Sequence, residues 1–161
     1  MTDLLPLLQD FYRDKLTVVL RHIAGARLIT QYDANNTYQY IVNREETQLS
    51  WLETAIRELG GTVPGQSDAP RGGSGTSADQ ARRVLQEDSQ ESQAFVDRWR
   101  PRVDAMANAR HGKMLKLILG EVLEQKRFFD QALAGRTDLL GRRGAQVGPS
   151  HGQVLPARWI E

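Results

Sequence analysis

The chain has 161 residues, 40% of them hydrophobic and 25% charged, enough for one domain with its own core and too few for two. Lys plus Arg (21) nearly balances Asp plus Glu (20), and a net charge of +1 gives no global field to draw in nucleic acid or an anionic membrane. Cysteine is absent, which excludes disulfides, thiolate nucleophiles and zinc sites built on cysteine.

That absence suits a reducing cytoplasm. The first residues, MTDLLPLLQDFYRDK, lack the basic start and apolar core of a signal peptide. No apolar run approaches the roughly 18 residues of a membrane span. The expectation is a cytoplasmic protein with no membrane and no nucleic-acid partner.

Residues 3 to about 31 carry a helical stripe of Leu5, Leu8, Tyr12, Leu16, Val19, Ile23, Ala26 and Ile29, spaced by threes and fours. Pro6 falls in the first turn, where its missing N–H is no loss. The run Tyr32-Asp33-Ala34-Asn35-Asn36 predicts a break, because Asp and Asn side chains compete for backbone hydrogen bonds. Asn35 or Asn36 is then the cap of a second helix.

That second helix is predicted from about Asn36 to Leu59, with Tyr38, Val42, Glu45, Leu49, Leu52, Ile56 and Leu59 along its seam. Glu45 falls on the seam and Glu46 borders it; either is a candidate to face inward. Gly60, Gly61 and Pro64 stop the helix. The short connection makes the first two helices antiparallel neighbours.

Residues 61–76 (GTVPGQSDAPRGGSGT) have almost nothing to bury and read as a flexible linker. Fully extended, they reach about 50 Å, against about 39 Å for a helix of about 26 residues. The linker is therefore long enough to cross a bundle from end to end. Ser77 and Gln80 have capping-box spacing and start a third helix, with Ala81, Leu85, Asp88, Ser92, Phe95 and Trp99 along one face and Glu91 beside it. Pro101 is expected to end or kink this helix. The fourth, beginning somewhere between Pro101 and Gly112, carries Met114, Ile118, Glu121, Gln125, Phe128 and Ala132 and stops at Gly135. On it, Leu117, Glu121, Glu124 and Phe128 share a second face at spacings of four, three and four. Residues 136–161 form a Gly- and Arg-rich tail ending in Leu155-Pro156-Ala157-Arg158-Trp159-Ile160, which reads either as an apolar anchor for the same bundle or a second subunit, or as a plain disordered tail.

Carboxylates on inward helix faces are the ingredients of a di-metal site, which needs hard oxygen donors and usually two imidazoles in a bundle core. Here the chain resembles ferritin-like and rubrerythrin-like proteins over residues 3–134. Glu46-Thr47-Gln48-Leu49, with Leu52, Ile56 and Leu59-Gly60-Gly61, is similar to that family's second-helix motif. Glu121-Val122-Leu123-Glu124 followed by Phe128 is similar to its fourth-helix motif, and Asp88 and Glu91 stand near its third-helix glutamate. The resemblance implies an all-α, ferritin-like four-helix bundle (residues 1–135) with one long crossover after the second helix. It also implies a metal site of Glu46, Asp88, Glu91, Glu121 and Glu124.

The departures from that pattern are chemical. Leu49 and Glu124 stand at both histidine positions, and Arg21 or His22 replaces the first-helix glutamate. The reading is therefore a non-enzymatic helical protein with a vestigial carboxylate site and no resident cofactor. It would act as a homodimer or other homo-oligomer, or through a protein partner that engages the tail. The alternative is an iron- or manganese-binding protein with a histidine-poor site and oxygen or peroxide chemistry.

Overall fold

The computed structural model describes residues 3–65, 71, 75–136 and 139–140. Within them the chain forms four helices and no strand: α1 (Leu4–Ala26), α2 (Tyr32–Glu58), α3 (Ser77–Asp104) and α4 (Ala109–Leu133). The expected all-α class is what the chain adopts, and no helix among these residues is long and apolar enough to cross a membrane.

Each helix begins on a side chain that accepts a first-turn amide: Asp3 from Leu5, Gln31 from Ala34, Thr76 from Asp79, and Asn108 from His111. Such caps satisfy backbone donors that have no partner within the helix. Gly60 and Gly135, at φ 79° and 92°, supply the left-handed turns that close α2 and α4.

Three features differ from the sequence expectation. Helix α1 ends at Ala26 rather than near residue 31. Helix α2 begins at Tyr32, so the Asn-rich run lies inside it. Asn35 does act as a cap, but for the other helix: its Nδ2 donates to the carbonyls of Ala26 (2.9 Å) and Ile29 (3.1 Å) at the end of α1. Pro101 does not end α3 on the spot, because it sits in the last turn, where one lost hydrogen bond is cheap.

The side-chain pairs fix the helix directions. Tyr12 of α1 meets Glu53 of α2, and His22 meets Glu45. Asp14 of α1 meets Arg98 and Trp99 of α3, whereas Arg21 meets Glu87. Tyr38 of α2 packs on Phe129 of α4, Arg44 bonds Glu121, and Glu58 meets Arg110. In every pair the residue number falls on one helix as it rises on the other, so all three pairs are antiparallel.

The core is divided. One apolar cluster gathers Leu8, Phe11, Leu52, Phe95, Trp99 and Ile118, with the Phe11 ring 5.3 Å from Phe95 and 4.9 Å from Trp99 in edge-on packing. A smaller one gathers Ala26, Ile29, Tyr38, Ile41, Val84, Leu85 and Phe129. Between the two, each helix contributes buried polar residues: His22 on α1, Glu45 and Gln48 on α2, Asp88 and Ser92 on α3, and Gln125 on α4. The functional question lies in this layer.

Candidate functional site: a charged layer inside the bundle

Helix α1 reaches the layer through a stripe that the first periodicity count passes over. Leu8, Phe11, Lys15, Val18, His22 and Gly25, spaced by threes and fours, are all buried. Two members of this apolar stripe are cations or potential cations, seven residues apart and so on one face. Both reach across to the same carboxylate. Lys15 Nζ donates to Glu45 Oε2 at 2.7 Å, and His22 Nδ1 lies 2.5 Å from Glu45 Oε1. Lys15 and Glu45 are both 0% exposed.

Burial by itself pushes the Glu45 carboxyl up, since an isolated charge is costly in a low-dielectric interior. The charges of His22 and Lys15, and the hydrogen bonds they make, outweigh that and bring it from 4.5 down to about 2. An ionised carboxylate only accepts, so His22 Nδ1 must carry the proton of the bond. The His22 ring packs at 5.4 Å from Phe129 and 6.1 Å from Tyr38, which fixes its plane.

The second carboxylate of the layer is Asp88, 1% exposed. Tyr38 Oη donates to its Oδ2 at 2.5 Å, and Arg71 Nη1 approaches Oδ1 at 2.9 Å and Oδ2 at 3.1 Å. Burial, then the neighbouring Asp88 charge and hydrogen bond, push the Tyr38 phenol well above its ordinary value. Arg71 comes from the connection between α2 and α3, yet its side chain is only 4% exposed. Its guanidinium also donates to the carbonyls of Arg21 and Val84, both at 3.0 Å, and to Glu87 at 3.2 Å. Gly25 is the floor of this seat. A Cβ there would lie 2.7 Å from Arg71 Nη1 and 3.1 Å from Val84 Cγ1.

The metal-site candidates do not converge. Of the two adjacent glutamates, Glu45 faces inward and Glu46 is exposed. Asp88 is buried and committed to Tyr38 and Arg71. Glu91, a third exposed, pairs with Arg98 at 3.0 Å. Glu121 accepts from Arg44 Nε and Nη2 at 2.9 and 2.7 Å, and Glu124, half exposed, pairs with Arg127. Arg21, expected near Glu46, instead meets Glu87, while His22 does occupy the level of the inward glutamate.

Among the described residues no group of three or more His, Asp or Glu side chains could hold a metal ion. The oxygens of Glu45 and of Asp88 are already bound by protein cations or a phenol. The donor set does not fit a di-metal centre.

Some polar atoms of the layer and its rim are left without a protein partner: both amide atoms of Gln48, Oε1 of Gln125, Oε2 of Glu121 and Nε of Arg71. Elsewhere, a hollow of about 720 Å³ at the end of the bundle is lined by Leu4, Leu7, Met106 and the flanking Asp3 and Arg102. It gathers no acid, base or nucleophile in a reactive arrangement. The expected docking of residues 155–160 lies outside the described residues; Leu139, in the first part of the tail, is buried.

Sequence reasoning missed Lys15 and Arg71. The three-four stripe running through Lys15 was a usable signal; nothing local marks Arg71. No protein-family model matches this chain, and neither curated proteins nor solved structures give a match.

Proposed function

We propose that the chain is a ferritin-like four-helix bundle in which protein cations have taken the place of metal, and that it is non-enzymatic, working through self-association or a protein partner. The observation that carries this reading is Glu45, sealed in the core between Lys15 Nζ at 2.7 Å and His22 Nδ1 at 2.5 Å. An ammonium held at that distance supplies the positive charge a bound cation would otherwise contribute. Lys15 and Glu45 have no exposure to solvent, so no substrate reaches them in the folded state.

The helix directions support the ferritin-like topology. Helix α3 is antiparallel to α1, and α1 to α2, so α2 and α3 run the same way. The chain must then travel from the far end of α2 back to the start of α3, which is the long crossover of a ferritin-like bundle. Arg71 tethers that crossover to α1 and α3 on its way.

The deciding experiment is elemental analysis of untagged protein from iron- and manganese-supplemented cells, followed by thermal unfolding with chelator or with added metal. The expected result is a substoichiometric metal content and a Tm that neither treatment moves. Ligand at about 100 times its Kd stabilises a folded protein by about 2.7 kcal/mol, so a functional site would raise Tm by several degrees. Near-stoichiometric iron or manganese would instead favour the metal-binding reading. The unpartnered Glu121 Oε2 is the observation that keeps that reading alive, and Glu121→Ala should then abolish binding.

A further inference from the structure

We propose that the outer groove between α2 and α4 is the docking surface for a second copy of this chain. In this dimer each Arg44 faces the other copy's Glu121. The proposal rests on the self-association reading above and specifies its surface.

The grooves between α1 and α3 and between α2 and α4 are built differently. Between α1 and α3 the rim is closed by ion pairs: Asp10 with Arg102, Asp14 with Arg98, and Arg21 with Glu87. The groove between α2 and α4 is crossed by Arg44–Glu121 and Arg110–Glu58, but it also carries a second pair of heptad-like stripes, Tyr40, Arg44, Thr47 and Trp51 on α2, and Leu117, Glu121, Glu124 and Phe128 on α4. Both step by four, three and four, the spacing that lays a seam along one side of a helix. Neither is the stripe that faces the core.

Tyr40 is 47% exposed and Leu117 54%, while Trp51 and Phe128 are half-buried beside them. One end of the groove holds Tyr40 and Phe128, with ring centroids 6.3 Å apart. The Arg44–Glu121 pair follows, and the antiparallel register places Trp51 and Leu117 towards the other end. Burying large apolar side chains on both helices is the main driving force such a surface offers.

Charge selects the occupant and its orientation. A two-fold axis along the groove lays α2 of one copy over α4 of the other, antiparallel. Arg44 then faces Glu121 and Glu124 across the interface, and Tyr40 faces Phe128. A crosswise axis would instead set Glu121 against Glu124, and like charges repel. A groove whose halves complement each other under a two-fold rotation is the requirement for an isologous dimer. At a net charge of +1, two copies do not repel each other.

Gly120 is an independent sign. It lies in the middle of α4, three residues after Leu117 and four before Glu124, so it neighbours both on the helix surface. A Cβ at this position would meet nothing within 4 Å, so packing within one chain does not call for glycine. In a helix interior glycine costs about 1 kcal/mol relative to alanine. Close approach of a second helix supplies the reason that the single chain lacks.

The test is light scattering on the full-length protein at micromolar concentration, with Leu117→Glu and with paired single-cysteine variants. The chain's lack of cysteine makes the cross-linking clean. Wild type should have twice the 18.1 kDa chain mass, and Leu117→Glu, with unchanged circular dichroism, should have the chain mass. A mixture of Thr47→Cys and Glu124→Cys chains should be joined by a short bis-maleimide, whereas Arg13→Cys with Glu124→Cys should not. If Leu117→Glu does not fold, the cross-link decides alone. Wild type at the mass of one chain would overturn both this surface and the self-association reading. A dimer that persists in Leu117→Glu without the Thr47–Glu124 cross-link, or that dissociates only when residues 137–161 are removed, would overturn the surface and leave self-association standing.

Discussion

Replacing Lys15 with methionine keeps the length, volume and helix propensity of the side chain and removes only the ammonium. In wild type that ammonium is one of two groups holding Glu45 ionised at 0% exposure. Lys15→Met leaves a buried carboxylate bound by His22 alone, and breaking one side of a buried pair costs about 3–5 kcal/mol. The pH dependence gives a second magnitude. The Glu45 carboxyl is displaced from 4.5 to about 2, and at about 1.4 kcal/mol per decade that is about 3 kcal/mol of folding stability. Because the folded value is the lower one, this stability is complete above pH 4.5. It is lost as pH falls from there towards 2.

The assay is urea unfolding followed by far-ultraviolet circular dichroism, at neutral pH and through the acid range. Lys15→Met should lose about 3–5 kcal/mol at neutral pH, and its acid limb should start at higher pH than that of wild type. The double variant Lys15→Met, Glu45→Gln removes both members of the buried Lys15–Glu45 pair, and the amide carbonyl that replaces the carboxylate still accepts from His22 Nδ1. It should recover most of the loss, because a neutral replacement for a buried ion pair is often close to neutral in stability. A single variant that loses less than about 1 kcal/mol, or a double variant that is simply additive, would refute the view that Lys15 and Glu45 act as one unit.

Arg71→Ala should cost about 3 kcal/mol or more by leaving Asp88 buried without its cation, and should speed amide exchange in the facing turns of α1 and α3. Gly25→Ala should destabilise wild type, since its methyl meets Arg71 Nη1. In the Arg71→Ala background the same change should cost clearly less, because only the 3.1 Å approach to Val84 Cγ1 remains and helix propensity favours alanine by about 1 kcal/mol, a difference read from paired urea curves. Gly120→Ala should raise helix stability by about 1 kcal/mol in a monomeric Leu117→Glu background, yet weaken association in the wild-type background, as sedimentation would show.

The helices are legible because four long stripes of threes and fours are punctuated by Gly60 and Gly135, and each end can be argued from backbone chemistry. The Asn-rich run misleads for a physical reason. Asn35 is a capping residue, as its type suggests, but it caps the carbonyls of α1 from inside α2. A one-dimensional reading assigns a cap to the nearer end of its own helix. Asp88 is legible as a carboxylate on an apolar face. That Glu45 rather than Glu46 turns inward is not, because one residue lies on the seam and the next at its border.

Lys15 shows the limit more sharply. Counted from Leu8 and Phe11, it belongs to a perfect inward stripe. Counted from Tyr12 and Leu16, it is the charged residue beside one. A lysine is so seldom fully buried that residue type outweighs position in such a count. Its long apolar stem explains the exception, because such a stem can be buried while the ammonium, 5.7 Å from the Phe95 ring, reaches Glu45.

The same logic accounts for the arrangement of the whole layer. A bundle that places carboxylates on inward faces must neutralise them, and bound cations, protonation or protein cations are the ways to do so. Here Lys15 and His22 serve Glu45, and Arg71 serves Asp88, each drawn from a different helix or connection than its carboxylate. The ion pairs therefore bind α1 to α2, and Arg71 of the α2–α3 connection to α3. A metal centre would require those oxygens free and clustered. Instead they join separate segments: Lys15 and His22 tie α1 to Glu45 on α2, and Asp88 ties α3 to Tyr38 of α2 and to Arg71 of the connection.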